Sequence, residues 1–66
     1  MNTTEQIWAA SVAIGKRMDY ETLKYSDYMY GNEDKTEDVW EYVDECEKIG
    51  RDAFKEKYKT YKIYAI

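Results

Sequence analysis

Asp34, Thr36, Asp38 and Glu45 fall at the first, third, fifth and twelfth positions of a calcium-loop pattern. That pattern needs glycine at its sixth position for a sharp turn, and Val39 stands there. Residues 36–47 also carry helical periodicity, which is incompatible with a loop wrapped around a cation. Fourteen carboxylates offer many pairs for glycosidase-type acid–base chemistry, but no spacing singles out one pair. The chain has no His and one Cys, so a zinc site cannot be assembled from its own residues. Cys46 lies between Glu45 and Glu47, which raise a thiol pKa, so a buried core residue is expected rather than a nucleophile. No metal, no cofactor and no enzymatic activity is expected.

The aromatic residues hold a different chemistry. Eleven of the 66 residues are aromatic: eight Tyr, two Trp and one Phe. Tyr20, Tyr25, Tyr28 and Tyr30 lie among Asp19, Glu21 and Asp27, and Tyr42 lies beside Glu41 and Asp44. Rings that stack on bases normally come with Lys and Arg to hold phosphates. Rings among carboxylates suit a basic protein instead, because Tyr supplies apolar area with a polar tip. The expected protein-binding face therefore comprises Tyr20, Tyr25, Asp27, Tyr28, Tyr30, Glu41, Tyr42 and Asp44. Its partner would be a protein target, including a basic nucleic-acid-binding host protein. The alternative is that these rings complete a thin core and the acids keep it in solution.

Charge is unevenly spread. Residues 1–18 carry one acid and two bases, residues 19–47 eleven acids and two bases, and residues 48–66 two acids and six bases. An acidic middle of this size argues against direct nucleic-acid binding. In the basic tail, Tyr58, Tyr61 and Tyr64 interleave with Lys55, Lys57, Lys59 and Lys62. Two antiparallel copies could set each acidic middle against the other's tail. Tyr58, Tyr61, Ile63 and Tyr64 are the expected self-association residues of a homo-oligomer.

The elements that must position these residues are helical. Thr3 and Gln6 form a capping-box pattern ahead of a stripe at Ile7, Ser11, Ile14 and Met18, widened by Trp8 and Val12. Gly15 marks either a close contact or a tolerated helix end. Asp19 caps a second helix, or the first runs on to Tyr30 with Met18, Thr22, Tyr25 and Met29 on one stripe. Gly31 suits the left-handed residue that closes a helix. A last helix starts at Thr36, with Val39, Val43, Cys46, Ile49, Ala53 and Phe54 as its buried stripe. From Thr60 the tail reads as fraying helix by its stripe, or as strand by its Tyr, Ile and Thr content. The fold expected is all-α: a single small helical domain over 1–66, as a helical hairpin or three-helix domain. It has a short C-terminal strand if the tail finds an edge. Domains this small bury only about 60% of their unfolded surface, so completion by homodimerisation is expected. Trp8, Trp40 and Phe54 are expected to carry much of the core.

No basic leader precedes the apolar run Ile7–Ile14, which is too short to cross a membrane. Together with the lone thiol this gives an expected cytoplasmic location in the host cell and no membrane partner. In composition, being short, rich in Tyr, Lys and acids and without Pro or His, the chain is similar to small accessory proteins of bacteriophages and mobile elements. That resemblance rests on no motif. It implies a non-enzymatic inhibitor that occludes a surface of a host or defence protein. The competing expectations are a self-assembling protein whose function is its oligomer, and a nucleic-acid mimic occupying a DNA- or RNA-binding cleft.

Overall fold

The computed structural model describes residues 2–63, 65 and 66. Its helices are α1 (Thr3–Gly15), α2 (Tyr20–Lys24), α3 (Thr36–Ile49) and α4 (Arg51–Lys57), with 3-10 turns at Glu33–Lys35 and Lys59–Tyr61. Among the described residues there is no strand.

The capping box of α1 forms one residue earlier than the Thr3–Gln6 pattern suggests. Asn2 Oδ1 accepts from the Glu5 amide at 2.9 Å, and the Asn2 amide donates to Glu5 Oε2 at 3.3 Å. Asn and Thr both cap well, so the choice falls to whichever lets Ile7 point inward. Ile7 and every residue from Ala9 to Ile14 are buried. A helix buried nearly all round is a central element rather than an amphipathic one. The small side chains of Ala9, Ala10 and Ala13 let α3, its main packing partner, come close. Ser11 is fully buried and satisfied, its Oγ donating to the Trp8 carbonyl at 2.7 Å. Trp8 itself is 39% exposed, so the expectation that it fills the core is corrected.

The chain leaves α1 through a Schellman-type turn. The Met18 amide donates to the Ala13 carbonyl at 2.9 Å, and Arg17 takes the left-handed conformation at φ 55°. Gly15 makes a close contact, but with the chain's own tail rather than with another helix. A Cβ there would lie 2.0 Å from the Ala65 carbonyl oxygen. Gly15→Ala must therefore push the tail away, although Ala favours helix by about 1 kcal/mol. Ile63 and Ile66, half-buried against the core, should then lose contacts. We expect the melting temperature to fall by roughly 4–8 °C, about 1 kcal/mol in a domain this small. A higher melting temperature with Ile63 and Ile66 still in contact by NMR would refute that packing.

Asp19 caps α2, accepting from the Thr22 amide at 2.7 Å. The helix lasts five residues. Leu23 and Met29 point inward, whereas Thr22 and Tyr25 are exposed, which corrects the stripe drawn through Met18, Thr22, Tyr25 and Met29. The Ser26 hydroxyl donates to the Leu23 carbonyl, and turns carry the chain onward to Gly31. Gly31 adopts φ 81°, closing these turns rather than a helix.

Thr36 opens α3 from a buried position, but as a donor to the Glu33 carbonyl at 2.7 Å, not as an accepting cap. Val39, Val43 and Cys46 face the core. The single long helix expected beyond them is broken at Gly50, whose φ 91° and ψ 157° lie in a region essentially reserved for glycine. The helical phase restarts in α4. Ala53 is therefore exposed and Phe54 fully buried, and Ile49, the last residue of α3, is also exposed (44%). The helical stripe expected through Phe54, Tyr58, Tyr61 and Ala65 holds only as ring contacts, 4.7 Å from Phe54 to Tyr58 and 6.0 Å from Tyr58 to Tyr61, while Ala65 is exposed and outside any helix. Beyond Tyr61 the described tail is irregular, with Lys62 left-handed at φ 53°.

Candidate binding groove

The eight residues of the expected binding face are not one surface. Asp27, Tyr28 and Tyr30, from the turns after α2, line a shallow groove with Glu5, Trp8 and Asn32. Tyr30 is 83% exposed and Tyr28 36%. Tyr25, at 71%, also faces outward, with Lys24 Nζ 5.5 Å from its ring centre. Tyr20 is instead packed edge-on against Trp40 at 5.7 Å, tying α2 to α3. Tyr42 packs edge-on against Tyr58, also at 5.7 Å. Glu41 and Asp44 line a separate shallow hollow on α3 with Glu45, Lys48 and Ile49.

Two groove residues are not expected from the sequence: Trp8, whose size assigns it to the core, and Glu5, which is given no role. Adjacent helical residues differ in direction by about 100°, so Trp8 cannot share the inward direction of Ile7. Glu5 is held in the capping box, with its amide and carboxylate both engaged by Asn2. The groove thus presents three rings and two carboxylates, Glu5 and Asp27. Aromatic faces attract cations within about 6 Å. Lys16 Nζ already stands 5.4 Å from the centre of the Tyr28 ring. The arrangement can hold a guanidinium or ammonium group.

Of the expected self-association residues, Tyr58, Tyr61 and Ile63 are half-buried within their own chain, and Tyr64 lies outside the described residues. Tyr58 also donates its hydroxyl proton to Glu45 Oε1, and Lys57 Nζ donates to Glu45 Oε2 at 2.8 Å. This cluster clamps α4 to α3 across the Gly50 break. The Lys57 hydrogen bond, followed by that from Tyr58, holds the Glu45 carboxyl below its ordinary 4.5. Burial, then the Glu45 hydrogen bond, pushes Tyr58 above 10.0, and Glu45 holds Lys57 above 10.5. Hydrogen bonds from Thr22 likewise hold Asp19 below 3.8.

These shifts fix the sign of the pH dependence. The lowered carboxylates contribute stability above their unfolded values and lose it as pH falls through the folded ones. The raised Tyr58 and Lys57 contribute below their unfolded values and lose it as pH rises through the folded ones. Thermal stability should be flat between about pH 5 and 9 and fall on both sides. Glu45→Gln should make the acid limb shallower, and so should Asp19→Asn. Melting curves from pH 2.5 to 11 check this; an acid limb unchanged in both variants would contradict the assignment.

Cys46 is buried, and burial is the main cause of its raised thiol pKa. Among the described residues, no group of three potential ligands converges to hold a metal ion. Asp34, Thr36, Asp38 and Glu45 run along a 3-10 turn and α3 rather than around a loop. No described helix is long and apolar enough to cross a membrane. The chain matches no protein-family model, no curated protein and no solved structure.

Proposed function

We propose that this chain is a non-enzymatic binding protein that docks on a basic protein and occludes the surface it covers. The observation that carries this reading is the groove in which Trp8, Tyr28 and Tyr30 meet Glu5 and Asp27. Buried aromatic anchors dominate protein interfaces, and carboxylates around them favour Lys- and Arg-bearing partners. Residues 19–47, which supply Asp27, Tyr28 and Tyr30, carry eleven acids against two bases, so the long-range field also attracts a basic surface. A basic surface of this kind is what nucleic-acid-binding proteins present, so the target belongs to that class. Inhibition of a host or defence protein follows from occlusion.

The test is site-specific photocrosslinking from position 30 in nuclease-treated lysate of the source, with position 51 as control. One basic protein, captured at position 30 alone and no longer captured when nuclease-resistant nucleic acid is added before irradiation, supports the proposal. Equal capture from both positions, or capture that the added nucleic acid leaves unchanged, rejects it.

A further inference from the structure

A second groove lies between the C-terminal half of α1 and the C-terminal end of α3. It measures about 420 Å³, within the roughly 300–1,000 Å³ of ligand pockets. Its floor is apolar: Ala13, Ile14, Val43 and Cys46 are core residues, and Met18 packs beside them. The chain has two arginines, Arg17 and Arg51, far apart in sequence, and both line this groove. Glu47 is the single carboxylate that joins them, which leaves an excess of positive charge in an otherwise acidic protein. Among the described residues neither guanidinium forms an ion pair. Arg51 Nη2 reaches the Ile14 carbonyl at 3.4 Å, which draws its head toward the end of α1.

Arg17 gives the sharper argument. It occupies the left-handed position that ends α1, at φ 55°, where glycine is the usual residue. The chain does place glycine at φ 81° and φ 91° elsewhere. Arg at this position is conformationally unfavourable, as Lys62 is at φ 53°, but of the two only Arg17 lines this groove, and backbone outliers cluster at functional sites. Guanidinium forks match carboxylates in geometry as well as charge.

We propose that this groove binds a small carboxylate with an aliphatic body, its head between Arg17 and Arg51 and its chain over Val43 and Cys46. The site is independent of the groove at Trp8. The test titrates the isotope-labelled full chain with octanoate and, separately, with octylammonium, following backbone NMR shifts. Octanoate should bind saturably and shift Ala13, Val43 and Cys46, and octylammonium should not. Arg51→Gln should weaken octanoate by roughly tenfold, the loss of one charge-assisted contact. Arg17→Gly should weaken it similarly while keeping or raising the melting temperature, so lost binding cannot be ascribed to misfolding. Equal binding of octylammonium, unchanged affinity in either variant, or a lower melting temperature for Arg17→Gly would overturn the proposal.

Discussion

Phe54→Ala should remove a large part of the domain's stability. Phe54 is the largest fully buried side chain among the described residues. Truncating a buried Phe costs about 3–5 kcal/mol, from lost transfer energy and the cavity left behind. A chain of this length has a total stability of about 3–10 kcal/mol. The Phe54 ring also supports Tyr58, and through it Tyr42, Tyr61 and Glu45, so its loss loosens the clamp between α3 and α4. Gly50→Ala should act on the same residue indirectly. A Cβ at Gly50 meets nothing within 4 Å, so the penalty is purely conformational, about 1–3 kcal/mol. The variant can relieve that strain by fusing α3 and α4 into one straight helix, which sets Lys57 about 18 Å along the axis from Glu45 and so breaks the clamp that Phe54 supports. Denaturant unfolding checks both. A Phe54→Ala loss below about 1 kcal/mol would mean that this ring is not the centre of the core.

Trp8→Ala should weaken partner binding by about thirtyfold, the 2 kcal/mol that marks an interface anchor. Trp8 is partly buried against its own chain, so its removal also lowers stability. Tyr30→Ala separates the two effects. At 83% exposure Tyr30 contributes little to the fold, and its loss should reduce affinity with an unchanged melting temperature. Tyr42→Ala should behave in the opposite way, because that ring is spent on Tyr58. Calorimetry with the captured partner, beside melting curves for all three variants, gives the comparison. Affinity that follows stability across the set would remove the groove from the account.

The helical class, the left-handed Gly31 and the inward row Val39, Val43, Cys46 were readable because each depends on local chemistry or on a phase kept within one helix, and the Asp19 cap was one of two readings the sequence left open. The break at Gly50 was not. Its neighbours Ile49, Ala53 and Phe54 continue the helical spacing, and only the backbone angle shows that the phase restarts there. The burial of α1 on nearly every side was equally hidden, because Ala and Ser read as neutral until helices enclose them. Asp27, Tyr28 and Tyr30, grouped in the sequence as rings among acids, line one groove. Tyr20 and Tyr42 have the same neighbours in sequence, but tertiary contacts with Trp40 and Tyr58 take them inward. Trp8 was assigned to the core by its size, although its direction on α1 turns it toward the groove.

The most direct test of the central claim is an NMR titration of the chain with a short arginine-rich peptide at low ionic strength, read at the Trp8 indole and the Tyr28 and Tyr30 amides. Saturable shifts concentrated on these residues, abolished in Tyr30→Ala and reduced in Asp27→Asn, are the predicted result. Shifts spread evenly over Glu41, Asp44 and the rest of α3, and indifferent to both substitutions, would show that the chain attracts basic partners by charge alone and that the groove is not their site.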